Sequence, residues 1–324
     1  MASDDPTSES TSDTPVAEFA TAEFADATDE IEDILSKANK EFYICENVMP
    51  RLNVLNITSA QDKIKEIFVK NIIEAKGIKK VEKLVDEVVL PTPNAVLMAA
   101  ELLSQGFGDE PGLGDLMLAD VGGATTDIYS MSSGLPTQMN AILSGLEEPF
   151  AKRTVEGDLG MRYSSLGILE TFSASEISHF KGLDVDIVYE ANKRHDDIEF
   201  ISSTDADYVA DDIFAGKCID IATTRHVGNL KGVYTPMGIM YYQVGKDLTQ
   251  TQYFIGTGGV VISSKDPKAI LKNGIKQPSK PMELRPKDPE YLLDKTYVLS
   301  AMGLLSMDYP EIALRIMKKY MIKL

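Results

Sequence analysis

The 324-residue chain has no tryptophan, two cysteines and three histidines, and each scarcity removes a class of protein. Cys45 and Cys218 lie far apart and match no metal-ligand spacing, so both are expected as reduced thiols of a cytoplasmic protein. His179, His195 and His226 stand near no Cys or carboxylate at a ligand spacing and are expected in surface or structural positions. No Gly-x-Ser-x-Gly elbow, Walker lysine loop or dinucleotide fingerprint occurs. No apolar run approaches the ~20 residues that span a bilayer, and the N-terminus lacks the basic and apolar regions of a secretory signal. Positive charge is missing altogether from residues 1–36, which hold eleven acids out of a chain whose net charge is −18. An acidic surface argues against nucleic acid or an anionic membrane as partner. It leaves room for a nucleotide, whose phosphates are met locally by amides and a metal.

What is present centres on Leu116 to Ser130, LMLADVGGATTDIYS. An apolar run ends in Asp120, a turn carries Gly122, Gly123 and Ala124, Thr125 and Thr126 follow, and Asp127 opens a second β-prone run. Adjacent glycines let backbone N–H groups crowd around phosphate oxygens, and an aspartate at the strand end can hold hydrated magnesium. A plain β-hairpin with a glycine turn accounts for the same residues.

Elsewhere the pattern predicts the following. Residues 1–28, rich in Ser, Thr, Asp, Glu and Ala, form a disordered tail. Phe42 to Cys45 is a short strand. A helix runs from Ser59 to Lys76, opened by a Ser59/Asp62 capping box and ended by Gly77. Another runs from Thr92 to Gly106, and the glycine-rich stretch Gly106 to Gly114 is a domain boundary or hinge. Lys152 to Ser165, KRTVEGDLGMRYSS, is a charged loop with turn glycines. A long helix covers Asp205 to Val227, buried through Val209, Ile213, Phe214, Cys218 and Ile221. Its acids Asp205, Asp207, Asp211 and Asp212 lack an EF-hand pattern and form a solvated face. Gly232 to Thr235 and Gly238 to Val244 pair as strands. The stretch QYFIGTGGVVI, Gln252 to Ile262, carries a strand into Gly256, Gly258 and Gly259, a backbone able to pass under a flat ring or a ribose. Helices at Asp294 to Leu305 and Pro310 to Ile322 end the chain, the first with Ala301 and Gly303 for a close helix contact.

DVGGATTD, then IGTGG over a hundred residues later, then a helix with Ala301 and Gly303, resembles in content and order the actin, sugar-kinase and heat-shock ATPase superfamily. More narrowly, ENVMPRLNVLNI, PTPNAVLMAAELL, KRTVEGDLGMRYSS, RHVG with VYTPMG, GKDLT and FIGTGG together look like the MutL (GlmL) family of accessory proteins of adenosylcobalamin-dependent glutamate mutase, over Glu30 to Leu324. The resemblance implies an α/β, actin-like (ribonuclease H-like) ATPase fold. Residues 1–29 would be the acidic tail, 30–111 a mainly helical remnant of a first lobe, and 112–324 a complete second lobe. It implies ATP and Mg2+ as ligands. Gly122, Gly123, Thr125 and Thr126 would lie at the phosphates, Gly256, Gly258 and Gly259 would underlie the adenosine, and Asp120 would orient water-bound magnesium and serve the chemistry. Phosphoryl transfer mostly requires positioning, so no strong nucleophile need be encoded.

Family members open with an Asp-x-Gly-Ser/Thr phosphate loop, and residues 1–40 contain nothing like it. The chain is therefore expected to lack most of its first lobe, and a slow ATPase activity to be impaired. The implied function is an ATP-driven, chaperone-like factor that protects or reactivates the mutase. With no Asp-x-His-x-x-Gly in the chain, cobalamin is expected on the glutamate mutase subunits that partner it. A small-molecule kinase and a nucleotide-switched scaffold of the same fold are the alternatives.

Overall fold

In this computed structural model the described residues are 16–38, 41–52, 54–75, 90–182, 185–236 and 238–324. They fall into two units, Met1–Ile78 and Lys79–Leu324.

The first unit contains α1 (Val16–Lys37) and α2 (Thr58–Ala75). The backbone is helical from Val16, so the stretch expected to be a disordered tail joins a helix well before Glu30. Ala and Glu, abundant there, favour helix. The Phe42–Cys45 strand does not form, because no neighbouring strand pairs with it among the described residues. Ser59 does not close a capping box either. Its hydroxyl accepts the Glu46 N–H at 3.1 Å, and Glu46 Oε2 in turn accepts from the Asn56 amide at 2.8 Å, folding the preceding loop back onto the helix start. Gly77, expected to end the helix, lies outside the described residues.

The second unit is built on a six-stranded mixed sheet. In chain order it contains α3 (Thr92–Gln105), β1 (Gly106–Phe107), β2 (Glu110–Pro111), β3 (Leu116–Val121), β4 (Thr126–Met131), β5 (Ala141–Leu143) and β6 (Ala151–Glu156). Then come α4 (Ser165–Glu170), α5 (Ala174–Lys181), α6 (Ile187–Asp196) and α7 (Asp205–His226). They are followed by β7 (Asn229–Thr235), β8 (Gly238–Val244), β9 (Tyr253–Thr257), α8 (Gly259–Ser263) and α9 (Pro267–Leu271). Last are β10 (Glu290–Leu293), α10 (Leu299–Leu305), α11 (Pro310–Tyr320) and β11 (Ile322–Lys323). The strand order is β11-β10-β9-β3-β4-β6. β3, β9 and β10 run parallel, while β4 is antiparallel to both β3 and β6. A separate three-stranded sheet has the order β5-β8-β7.

Both faces of the large sheet are covered, which is why β3 reads as a nearly unbroken apolar run. Leu116 and Leu118 pack with Val96, Ala99, Ala100 and Leu103 of α3 and with Leu314 and Met317 of α11. Met117, Ala119 and Val121 face the other way, into Phe214, Cys218 and Ala222 of α7. Gly303 of α10 lies directly on α3, where a β-carbon would stand 1.8 Å from the Ala95 carbonyl oxygen. The close helix contact expected from Ala301 and Gly303 is therefore made by Gly303.

Gly106 to Gly114 is not a boundary between the two units. Leu113 and Gly114 donate N–H bonds to the Leu103 and Ser104 carbonyls at 2.8 and 3.0 Å, and Lys318 of α11 pairs with Glu110 at 2.7 Å. Glycine and proline serve here to fold a tight strap back on α3. Lys152 to Glu156 is strand β6 rather than loop, with Arg153 opposite Tyr129 in the ladder. Asp294 to Val298 precedes α10 instead of belonging to it. Among the described residues no helix is long and apolar enough to cross a membrane.

Candidate functional site

The sheet's central parallel pair sets the site. β3 and β9 run side by side with Asp120 opposite Thr257, so the turn after each strand emerges at the same end of the sheet. After β3 the chain reverses within four residues, closed by the Gly122 N–H donating to the Thr125 carbonyl at 2.9 Å. Among the described residues the N–H groups of Gly123 and Ala124 have no hydrogen-bond partner. The carbonyls of Gly122 and Gly123 are bound from behind by the N–H groups of Met161 and Arg162 at 3.0 and 2.8 Å. The charged block after β6 is thus a buttress that fixes the turn and leaves its outer amides free.

After β9, Gly258 takes φ +94 and crosses the end of β3. A β-carbon there would lie 2.4 Å from the Val121 carbonyl oxygen and 2.9 Å from an Asp120 carboxylate oxygen. Only glycine permits both the left-handed backbone and that approach. Asp120, Gly122, Gly123, Gly258 and Gly259, separated by more than a hundred residues of chain, are therefore neighbours. They border or abut a cleft of about 390 Å³ lined by Gly122, Gly123, Gly259, Arg162, Tyr208 and Tyr297 among others.

Three expected contacts are placed differently. Thr126 is fully buried and its hydroxyl donates to the Leu159 carbonyl at 2.6 Å, so it ties the hairpin to the core and does not face the cleft. Gly256 is buried within β9 under Val261 and Leu271. The Thr125 hydroxyl is next to the turn but donates to Asp127 Oδ2 at 3.0 Å. Asp127 also accepts from Arg153 Nε at 2.8 Å, which makes it the brace of the hairpin. In strands the side chains alternate, and a one-residue difference separates Thr125 at the turn from Thr126 in the interior.

Asp120 faces the α3 side of the sheet directly opposite Asp127. It shares a small cavity with Asp294, Thr257, Tyr297 and Thr92. Burial first, and then the charges of Asp127 and Asp294 against a weaker opposing effect of Arg153, push its carboxyl up to about 6. A divalent cation would relieve that repulsion. Among the described residues no group of three or more His, Cys, Asp or Glu could hold a metal. Asp294 is already engaged. Its oxygens accept the Val298 and Leu299 N–H groups at 3.0 and 3.2 Å and the Thr257 hydroxyl at 3.4 Å. The Tyr297 phenol is pushed upward chiefly by the Asp120 charge.

The far wall of the cleft was hidden from the sequence. Asp207 and Asp211, expected on a solvated face, are buried. Asp207 accepts from Lys193 at 2.5 Å, and Asp211 from Arg194 at 2.9 Å and from the Ser202 hydroxyl at 2.5 Å. Arg194 is wholly enclosed and also reaches Glu190 at 2.5 Å. Phe200 lies under Lys193, Arg194 and Arg162 at 4.2, 5.3 and 5.7 Å from its ring centre. This ionic floor holds α6 against α7 and sets Tyr208 and Arg162 at the cleft. Thr204-x-x-Asp207 is a capping box that opens α7, and it was the one local signal that Asp207 is not free. His226 at the other end of α7 is structural, its ring bonded to the Thr154 and Ser130 hydroxyls at 2.8 Å each. Burial holds it neutral, well below the usual range. Cys45 and Cys218 are both free thiols.

Comparison with known proteins supplies relatives for this arrangement. A profile of the family described as MutL protein matches residues 21–321. Protein MutL of Clostridium tetanomorphum is 45% identical over 299 residues, covering 91% of this chain and 64% of the relative.

Proposed function

The chain belongs to the MutL family, and we propose that it is a nucleotide-binding accessory factor that protects or reactivates adenosylcobalamin-dependent glutamate mutase. The observation that carries the nucleotide half of this reading is Gly258 lying against Asp120 and Val121, which brings two glycine turns together over one cleft. Ligands of α/β sheets bind at such crevices beyond the carboxyl ends of parallel strands. The order β6-β4-β3-β9-β10, antiparallel on one side and parallel on the other, supports an actin-like, ribonuclease H-like ATPase lobe. That lobe would comprise most of the second unit, α3 included.

In this reading the free amides at Gly123 and Ala124 meet phosphate oxygens. Asp120 receives the hydrated Mg2+ that neutralises them, and Gly258 and Gly259 pass beneath the nucleoside, with Tyr208 and Arg162 at its sides. The chain spans 64% of the length of the curated relative that it matches. Nucleotide binding would change the affinity of the chain for the mutase, so that damaged cobalamin held by the partner can leave.

Two measurements test the proposal at separate levels. Calorimetric titration with ATP and Mg2+ should show binding that Asp120→Ala weakens at least tenfold. Equal binding by both proteins would remove Asp120 from the site. Inactivated glutamate mutase incubated with ATP, Mg2+ and the protein should recover activity; recovery no greater than in a protein-free control would end the accessory reading.

A further inference from the structure

Tyr297 is the one residue other than glycine, among the described residues, that holds a left-handed backbone, at φ 56. An aromatic side chain there is an outlier that persists only when its surroundings over-determine it. They do so through Asp294, whose carbonyl accepts the Tyr297 N–H at 3.2 Å while its carboxylate binds the next two backbone N–H groups. A loop needing only that turn would be served by glycine. Here a large ring is kept half exposed at the junction of two cavities. One is the cleft bordered by Gly122, Gly123 and Gly259, and the other is the small space holding Asp120 and Asp294.

The charges at that junction say what the ring is for. Asp120 and Asp294 are both acidic and would repel the terminal phosphate of a ligand lying over Gly123. The two nearby cations are engaged elsewhere: Arg153 is bound to Asp127, and Arg162 donates through Nε to the Phe200 carbonyl at 3.1 Å and through Nη1 to the Met161 carbonyl at 2.9 Å, with Asp211 3.8 Å away. Among the described residues the Tyr297 hydroxyl has no hydrogen-bond partner. A phenol is a neutral donor, able to approach a phosphate without adding charge to a site that already holds a carboxylate for a cation.

We propose that Tyr297 is a specificity-determining contact of the nucleotide site, its hydroxyl donating to the terminal phosphate of a nucleoside triphosphate from the Asp120 side. This rests on the nucleotide reading above. Its consequence is that discrimination between tri- and diphosphate is set by a residue outside both glycine turns.

The test uses the full chain and titrates Mg–ATP and Mg–ADP into wild type, Tyr297→Phe and Tyr297→Gly, with thermal melts as the measure of folding. Tyr297→Phe should lose about tenfold in ATP affinity, one hydrogen bond's worth, and leave ADP affinity unchanged. Tyr297→Gly relieves the backbone and should melt no lower than wild type, yet show the same loss for ATP. If wild type binds both nucleotides and Tyr297→Phe keeps the wild-type ratio of affinities, Tyr297 is a structural residue and the inference is overturned. If wild type binds neither nucleotide, the nucleotide reading itself fails.

Discussion

Asp120 is held as an anion against the preference of its surroundings, and replacing it with asparagine exposes the size of that conflict. Asparagine has nearly the same shape and cannot ionise. In the wild-type fold, burial and then the Asp127 and Asp294 charges raise the Asp120 carboxyl from its ordinary 3.8 to about 6. That rise corresponds to about 3 kcal/mol against the ionised form, and relaxation of a partly open site leaves about 1–3 kcal/mol to be gained. A carboxyl raised on folding contributes stability that is complete below its unfolded value and is lost as pH rises through its folded one. The advantage of Asp120→Asn should therefore be greatest above pH 7, fall by about half at pH 5 and be small near pH 4. Near neutrality it is equivalent to roughly 3–10 °C in melting temperature for a unit of this size. Urea denaturation followed by circular dichroism at pH 7.5 and pH 5 measures both points. Millimolar Mg2+ should narrow the gap at pH 7.5 by stabilising the wild type alone. An asparagine variant no more stable than wild type at pH 7.5, or a gap that does not change with pH, would refute the electrostatic account of the site.

Other substitutions probe the scaffold around it. Gly258→Ala drives a β-carbon to 2.4 Å from the Val121 carbonyl and should cost about 3 kcal/mol or more, read as a lowered urea midpoint together with loss of nucleotide binding. Gly303→Ala meets the Ala95 carbonyl at 1.8 Å and should destabilise by a similar amount, on the order of 3 kcal/mol. Because it lies away from the cleft, calorimetry on the folded fraction should find nucleotide affinity retained. Arg194→Met removes the closest cation from buried Glu190 and Asp211 and leaves them only Lys193 and Arg162 at 3.9 and 3.8 Å, a loss of about 3 kcal/mol by denaturant titration. Thr126→Val removes the bond to the Leu159 carbonyl and should cost about 1–3 kcal/mol without changing Mg–ATP affinity.

Much of this protein is local enough to read directly. The apolar run of β3, the glycine turn, the period of α7 through Ile213, Phe214, Cys218 and Ile221 (Val209, expected on the same stripe, is exposed) and the small residue at 303 each express a constraint within a few residues of chain: coverage of both sheet faces, reversal of direction, one buried helix stripe, one close contact. The ordered set of such blocks also carries the family. Other features depend on what packs where. Asp207 and Asp211 look like any solvated helix face until α6 brings Lys193 and Arg194 onto them. Gly106 to Gly114 has the composition of a hinge, and becomes a strap through bonds to Leu103 and Ser104. Thr125 and Thr126 are alike as letters and differ through the pleat of β4. Asp120 could be named from its strand end, but its weakened acidity comes first from burial and then from Asp127 across the ladder and Asp294 from the far end of the chain. Residue types and their spacing are short-range facts, whereas burial, charge pairing and the meeting of Asp120, Gly258 and Tyr297 are long-range ones, created when distant segments close on the same sheet.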